Sequence, residues 1–346
     1  MIPCLLSLFE GTATGSFDDK PFLLDLSVWS RFLVAVGIFV GMERYVENGI
    51  LRLLYPLLNA PLLPSSSQPL AKTAVNTALR RLASGRTEAA LALAALGCSV
   101  LAAGGLIEVA EAKWVFVEHE GSKSLSYALL WTSMVSSPIY YFLMFRWVWR
   151  IVILALLITD ISRLDLRLVA THPDGFAGIA FLGELPNVYT PFVLALSFVI
   201  AGTVAELMIK ETIQAVTYTS LMGIWLGFVH VLLALPNFAF NRKLEDLKEE
   251  TLVVSRSIAT RHELEAERAV LGRNGSGATP EEVAAFGGVP DAKLLFRAAN
   301  DLKTLLYQRT ALLPVSAAAT VPLLLAGLIY FPFGELLQTL RKLLLF

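Results

Sequence analysis

The densest group of polar residues lies between Arg146 and Glu184, directly after a membrane-length apolar run. In its centre, His172 and Asp174 flank a proline within the short turn Thr171–Gly175. Imidazole and carboxylate groups this close together are candidate ligands for a metal ion, although the sequence does not specify which metal. The residues of this loop that are candidates for ligand binding are His172, Asp174, Asp165 and Arg167.

Pro173 restricts the backbone of this turn, because a residue before proline disfavours the helical conformation. We therefore expect the preceding helix to stop at His172. We also expect Asp174 to cap a short helix over Gly175–Leu185, which Pro186 would end. The free amides at the start of such a helix would favour an anion, as helix ends do in transporters. The alternative is a turn followed by a helix that lies on the membrane surface.

Arg146 and Arg150 are one helical turn apart and therefore share a face. They could line a vestibule that concentrates anions. The alternative is that, interleaved with Trp147 and Trp149, they anchor the helix to lipid phosphates. The apolar run Ile151–Ile158 is too short to cross a membrane, so we expect it to pack against other helices or a second subunit.

His230 falls in the middle of an apolar run, and an ionisable group at that depth is a functional candidate. Gly223 and Gly227 lie on the same stripe and form a GxxxG pattern, which permits close helix approach. We therefore expect the stripe to face protein. In one interpretation the His230 imidazole transfers protons or binds a ligand. In the other it is neutral and hydrogen-bonded to a neighbouring helix.

A polar stretch surrounds Pro138 in the third apolar run, and proline in a span kinks the helix and frees a carbonyl. Its candidate pathway residues are Ser133, Ser137 and Tyr140. They form either the wall of an ion pathway opposite His230 or ordinary polar contacts between helices. Glu206 is a further candidate, either paired with Lys210 four residues later or placed at the outer mouth of a pore.

The composition excludes several classes of protein. Hydrophobic residues make up 55% of the 346 residues and charged residues only 16%, against about 25% charged residues in soluble chains. The net charge of −1 argues against nucleic-acid binding. The sequence has two cysteines and lacks Walker A, HExxH and GxSxG patterns, so disulfide frameworks, ATP-driven transport and common hydrolases are disfavoured. We expect no cofactor. We favour a role other than catalysis, and the sequence leaves open whether the protein is an enzyme.

Apolar runs of about 18–25 residues predict transmembrane helices. The six predicted spans are Val28–Val46, Ala89–Val109, Tyr127–Phe145, Tyr189–Ile209, Thr219–Phe240 and Leu312–Phe333. The fold class is therefore an all-α integral membrane protein with about six transmembrane helices and a cytoplasmic helical hairpin. The segments are 1–27, an interfacial lead-in; 28–240, the bundle with loops 47–88 and 146–188; 241–311, the hairpin; and 312–346, the last span with the C-terminal segment.

The hairpin is predicted from two amphipathic patterns. The first, Asn241–Leu271, continues the fifth span and carries apolar residues at heptad-like spacing: Leu244, Leu247, Val254 and Ile258. A short helix is expected to begin at Thr279-Pro280. The second pattern, Asp291–Gln308, has an apolar face made of Leu295, Ala298, Leu302 and Leu305.

Lysine and arginine are concentrated in the connections that follow the first, third and fifth spans. The positive-inside rule places these connections in the cytoplasm and both termini outside. The N-terminus lacks a basic segment and Pro3 interrupts its apolar start, so we do not expect a cleaved signal peptide.

The motif LDLRLVATHPDG after the third span resembles a loop of uncharacterised bacterial polytopic inner-membrane proteins. The resemblance covers mainly Arg163–Gly183. It implies a bacterial inner membrane and no particular activity, so no functional residue is carried over.

These features favour a homo-oligomeric channel or channel-like transporter for a small ion, with an anion slightly favoured because of the arginines. Its partners would be membrane lipids and further copies of the chain, which meet through a face with Gly37 and Gly41 and through the cytoplasmic helices. The alternative is a membrane-anchored binding or signalling protein whose hairpin engages a cytoplasmic protein. A third hypothesis is a metal-dependent interfacial enzyme that uses His172 and Asp174 on a lipid-like substrate.

Overall fold

Helices form along each apolar run of membrane length, because lipid offers no hydrogen-bond partner to the backbone. The structure, a computed structural model, describes residues 2–15, 21–59, 62–108, 114–119, 122–210, 214–271, 292–306, 308–332 and 334. It is 80% helical with almost no sheet, which confirms the all-α fold class. Within the described residues, six helices are long and apolar enough to cross a membrane. The first to sixth spans are Leu26–Leu58, Gly85–Gly105, Tyr127–Ser162, Ala180–Ile209, Ala215–Thr260 and Thr310–Gly327.

The spans are built from shorter regular segments. The α-helices are α1 (Ile2–Phe9), α2 (Leu26–Trp29), α3 (Val36–Gly41), α4 (Glu43–Asn59), α5 (Gln68–Leu82), α6 (Gly85–Glu108), α7 (Tyr127–Trp131), α8 (Ser137–Ser162), α9 (Leu185–Val188), α10 (Thr190–Lys210), α11 (Ala215–Ala234), α12 (Asn241–Leu271), α13 (Ala292–Asp301) and α14 (Arg309–Gly327). The π-helical segments are Ser30–Ala35 and Thr132–Ser136, and the 3₁₀ segments are Phe22–Leu24, Ala180–Glu184 and Leu235–Phe240. The strands β1 (Phe116–His119) and β2 (Ser122–Leu125) pair in antiparallel fashion.

The first, third and fifth spans are longer than a membrane requires, with 33, 36 and 46 residues. At 1.5 Å per residue they measure about 50, 54 and 69 Å, whereas the hydrocarbon core is roughly 30 Å thick. Because alternate spans run in the same direction, the C-terminal ends of these three leave the bundle on one side. We call this the helix-extension side, and we call the opposite side, which carries α1 and the strand pair, the β-hairpin side.

A continuous apolar core joins the spans to the loop at the helix-extension side. Leu57 of α4, Ile158 of α8 and Ile179 of the loop are fully buried in one cluster with Leu302 and Leu306. The α8 segment around Ile158 packs against α5 and the 3₁₀ segment 235–240 of the same chain. The apolar run after the third predicted span therefore finds its partners within this chain.

The β-hairpin side is closed by a smaller cluster that the sequence interpretation did not predict. Phe22, Trp114 and Leu129 are buried together in it. The Trp114 indole Nε1 donates to Asp25 Oδ2 at 2.9 Å, which ties the strand pair to the start of the first span. The alternating pattern of 114–125 around a Glu-Gly pair was the available signal for these strands.

The predicted hairpin of helices is formed by α12 and α13, which pack against each other. The predicted apolar faces are wrong at two positions, since Val254 and Leu305 are exposed. Ser255 is buried in place of Val254, since the helix face is turned by one residue. Leu306 is buried in place of Leu305, because α13 ends at Asp301 and helical periodicity ends with it. The helix predicted to begin at Thr279-Pro280 lies outside the described residues.

Candidate functional site between the first, third and fourth spans

Two π-helical segments, Ser30–Ala35 and Thr132–Ser136, lie at matching depths near the β-hairpin side. Each begins four or five residues after the start of its span, and the two spans run in the same direction. The i→i+5 pattern is rare and is frequent at functional sites. Gly202 of the fourth span packs directly on the first of these segments. A Cβ at that position would overlap Ser30 Oγ and lie 3.0 Å from the Leu26 carbonyl oxygen.

Arg31 belongs to the first of these π-helical segments and turns its guanidinium toward aromatic rings. Its Cζ is 6.0 Å from the ring centre of Phe32 and 6.0 Å from that of Tyr140. No carboxylate among the described residues forms an ion pair with it. Arg31 lies five residues after the start of the first span, near the β-hairpin side. A cation–π contact contributes about 0.5–2 kcal/mol, and the described partners of this guanidinium are the two aromatic rings.

Three aromatic rings from three spans meet directly below this arginine. Phe39 of the first span is 1% exposed. Its ring centre is 6.1 Å from that of Tyr140 in the third span and 5.8 Å from that of Phe192 in the fourth. The three rings therefore pack together where these spans meet.

A second arginine lies below the aromatic rings, toward the helix-extension side. Arg150 Nη2 is 2.6 Å from Glu43 Oε1, and its Cζ is 4.6 Å from the Trp147 ring centre. Trp147 Nε1 in turn donates to the Phe39 carbonyl at 3.0 Å. The two arginines predicted to line a vestibule therefore have different surroundings. Arg150 forms an ion pair that connects the third span to the first. Arg146 is half-buried and close enough to Glu43 to interact with its charge.

These residues form one line of contacts that covers about 15 Å along the first and third spans at 1.5 Å per residue, which we call the arginine–aromatic column. Its members are Arg31, Tyr140, Phe39, Phe192, Trp147 and Arg150. Beside it, the Tyr189 hydroxyl is buried and has no hydrogen-bond partner among the described residues. A buried polar group without a partner costs about 1–3 kcal/mol, so it is a donor available to a ligand or water.

The predicted pathway serines do not join this column. Ser133 Oγ donates to the Leu129 carbonyl at 2.8 Å, and the Ser133 carbonyl accepts from Ser99 of the second span. Ser137 is buried at the start of α8. Tyr140 is the one residue of the three predicted pathway positions that the structure brings into the column.

His230 lies apart from the column, at the contact between the fifth and sixth spans. Its Nδ1 is 2.8 Å from the Leu226 carbonyl, and its Nε2 is 3.2 Å from Ser316 Oγ. This geometry fits the hydrogen-bonded alternative. The expected protein-facing stripe is only partly formed, because Gly227 is exposed and a Cβ there would meet nothing within 4 Å. The α11 helix packs mainly on α14, so the polar stretch of the third span does not face His230.

Glu206 contacts the start of the first span, while the side chain of Lys210, its predicted partner, lies outside the described residues. Glu206 Oε1 accepts from the Ser27 amide at 3.2 Å, at the N-terminus of the first span. Asp25 Oδ1 accepts from Val28 at the same helix end. Two carboxylates therefore satisfy free amides of this helix, where negative charge is favourable.

The loop around Asp174 is not the predicted helix. Asp174 Oδ1 accepts from the amides of Phe176 at 2.9 Å and Gly178 at 3.1 Å, and Oδ2 accepts from Ala180 at 3.1 Å. The φ angles of Gly175, Ala177 and Gly178 are 71°, 57° and 96°, which no α-helix contains. The first helical turn begins at Ala180, and Pro186 lies in the first turn of α9 rather than ending a helix. The amides expected to attract an anion bind the chain's own carboxylate.

The groups around the Asp174 carboxyl also determine its charge state. Burial of the carboxyl opposes its ionisation, but the three amides and His172 outweigh that effect and lower its pKa from the usual 3.8. His172 Nδ1 is 2.9 Å from Asp174 Oδ1 and 3.3 Å from the Asp174 amide. One nitrogen cannot donate to the first and accept from the second, and the shorter contact favours donation to the carboxylate.

The other loop candidates hold the loop in place. The Arg167 amide donates to the Leu62 carbonyl at 2.8 Å. The Asp165 carbonyl accepts from Ser67 at 3.4 Å, and Lys243 donates to the neighbouring Leu164 carbonyl. No cluster of three or more His, Cys, Asp or Glu residues suited to a metal occurs in the described part of the chain.

Comparisons with known proteins complete the description of the site. Neither a family model, nor a curated protein, nor a solved structure matches this chain. The resemblance of the THPD loop to bacterial membrane proteins stays a prediction, and the description rests on the geometry above.

Proposed function

We propose that this multi-pass membrane protein is a channel or channel-like transporter for a small ion, with an anion favoured. The ion would cross along the arginine–aromatic column. The observation that carries the proposal is Arg31, a cation near the start of the first span that faces aromatic rings and no described carboxylate. A fixed positive charge in a low-dielectric region attracts an anion more strongly than it would in water.

Two further observations support a path at this position. Arg150 lies at the opposite end of the column, where its guanidinium is paired with Glu43, so a guanidinium group is present at both ends. The unpartnered hydroxyl of Tyr189 lies near Arg150 and is 1% exposed. Hydroxyl donors of this kind can replace part of an anion's hydration shell.

The described conformation is then the closed one. Phe39, Tyr140 and Phe192 fill the column between the arginines. Hydrophobic constrictions gate pores by excluding water. Since the Phe39 ring is central and its carbonyl is held by Trp147, movement of the first span against the third would open the column.

The proposal also includes location and partners. The connections rich in Lys and Arg support a cytoplasmic helix-extension side with both termini outside, and the resemblance of the THPD loop supports a bacterial inner membrane. A second copy would pack on the first span around Gly37 and Gly41, where an added Cβ meets nothing within 4 Å. Disulfide crosslinking of Val40→Cys in a variant without native cysteines would detect that contact, and its absence would argue for a monomer.

Anion flux into liposomes that contain the purified protein and a halide-sensitive dye tests the permeation proposal. We expect Phe39→Ala to raise chloride flux several-fold above wild type, with Phe39→Leu as the variant less disruptive to folding. Arg31→Gln is expected to lower the preference for chloride over potassium. The matched control is Phe228→Ala, which removes a lipid-facing ring on the fifth span. If folded wild type and both Phe39 variants equal protein-free vesicles, the proposal is wrong.

A second candidate function is supported by the exposed valines of the α12–α13 hairpin. Val253 and Val254 are 65% and 50% exposed on a helix that extends beyond membrane length. Apolar side chains side by side in water are typical of a protein-binding surface. Copurification of a partner that is lost in Val253→Asp, while ion flux is absent from wild type, would favour a binding or signalling role.

A further inference from the structure

A lateral pocket of about 190 Å³ lies beneath α1, between the first and third spans. The two π-helical segments border it, with Phe32 and Leu33 on one side and Ser136 on the other. Phe22 and Pro3 form its inner end and roof. Apart from Ser136 and the indole of Trp29, the lining is apolar, and that indole already donates to the Leu23 carbonyl at 3.1 Å.

The pocket opens toward the surface that a membrane covers. Leu33 and Ile139 border it and are 54% and 48% exposed. Both belong to spans of membrane length, so their exposed atoms face acyl chains. The pocket is therefore continuous with the lipid-facing surface of the bundle.

The roof of the pocket points to the same environment. The α1 helix packs on α7, yet Leu5, Leu8 and Phe9 are exposed on its outer side. A short helix with large apolar side chains on its open face lies in the membrane interface. Its Pro3 and Cys4 contribute to the pocket, so the roof is at the level where lipid chains begin.

We infer that the pocket binds one acyl chain of a membrane lipid from the leaflet at the β-hairpin side. Apolar cavities of about this size stay dry and bind apolar molecules, as an engineered cavity of about 150 Å³ does with benzene. An acyl chain that is already in lipid leaves no water when it enters the pocket, so it gains only packing contacts. Binding is therefore set by the shape of the pocket between the π-helical segments. This inference does not depend on ion permeation.

Photocrosslinking in vesicles tests it directly. The probe is a phosphatidylcholine with a diazirine on one acyl chain, mixed into vesicles that contain the full-length protein, and adducts are mapped by peptide mass spectrometry. Phe22 is 3% exposed and Pro3 is buried, so lipids outside the pocket do not reach them. We expect adducts on Phe22 and on the Pro3–Cys4 segment, in addition to those on lipid-facing Leu33 and Ile139.

A pocket-filling variant provides the control. Val36→Trp places a large ring among the lining residues, whereas Val40→Trp is one turn away on a face that is 61% exposed. The first substitution should reduce the Phe22 and Pro3–Cys4 adducts several-fold, and the second should not. Ser136→Met is the substitute if Val36→Trp does not fold. Adducts confined to Leu33 and Ile139 in wild type, or internal adducts unchanged by filling, would overturn the inference.

Discussion

Asp174 shows how a single side chain replaces the helix that the sequence predicts. Its carboxylate gathers three backbone amides within six residues, so the chain folds around it instead of continuing as a helix. Such a residue stabilises the loop only while it is ionised. The charged form of Asp174 therefore contributes directly to the stability of the loop that joins the third and fourth spans.

We predict that Asp174→Asn lowers the melting temperature at neutral pH. The pKa of Asp174 is lowered in the folded state, so its contribution is present above the unfolded value of about 3.8 and is lost as pH falls through the folded pKa. The gap between wild type and variant should accordingly shrink as the pH falls below about 4. Thermal unfolding in detergent across pH measures this gap, with exposed Glu249→Gln as the control. A gap that stays constant down to the acid limit would contradict the assignment.

We predict energetic coupling between His230 and Ser316, because the side chains are 3.2 Å apart. Hydrogen bonds between spans average about 0.6 kcal/mol, so the coupling should be of that order. A double-mutant cycle with His230→Ala and Ser316→Ala, read by unfolding in mild detergent, measures it. Additive losses would show that the contact is absent. A pH-dependent flux that changes in His230→Ala and not in Ser316→Ala would instead support the proton-transfer alternative.

At the scale of elements, the first span is shaped by its contact with the fourth. Gly202 lets α10 approach the π-helical segment so closely that a Cβ would overlap Ser30. We predict that Gly202→Val destabilises the protein by about 1–3 kcal/mol, as overpacking of a close contact does.

The control for this prediction is Gly104→Val on the second span, where an added Cβ meets nothing within 4 Å. Both variants carry the same change in side-chain volume and helix propensity, so their difference isolates the contact. Equal melting temperatures for the two variants would show that the first and fourth spans are not closely packed at this point.

The elements differ in how far the sequence predicts them. Six membrane-length apolar runs gave six helices, because length and hydropathy alone decide helix formation in lipid. The π-helical segments were not predictable, since no local sequence pattern marks them; the first of them packs on Gly202 of a distant span. The Asp174 loop was misread although glycines at 175 and 178 were a signal for positive φ angles. The column was missed because Phe39 and Phe192 resemble any lipid-facing aromatic residue in a span.

At the scale of the molecule, the three long spans make the two sides of the bundle unequal. The helix-extension side carries the apolar core around Ile158 and the α12–α13 hairpin, while the described residues of the β-hairpin side form α1, a 3₁₀ turn and two short strands. The positive-inside rule assigns the first of these sides to the cytoplasm.

We predict opposite labelling of two single-cysteine variants in a background without Cys4 and Cys98. Val253→Cys on α12 should react with a membrane-impermeant maleimide only after cells are opened. Ser124→Cys on β2 is exposed and should react in intact cells. Labelling of both residues from the same side would refute the six-span threading.

The 3₁₀ segment 235–240 has a mechanical consequence. It is held between α8 and the segment after α13, where Asn237 Nδ2 donates to the Leu306 carbonyl at 2.8 Å. Beyond it α12 continues for 31 residues, which is a lever of about 46 Å at 1.5 Å per residue. A tilt of α12 by about 5° about this segment would move its C-terminal end by roughly 4 Å. Small strains in the bilayer would thus reach the aqueous phase as displacements large enough for another molecule to sense.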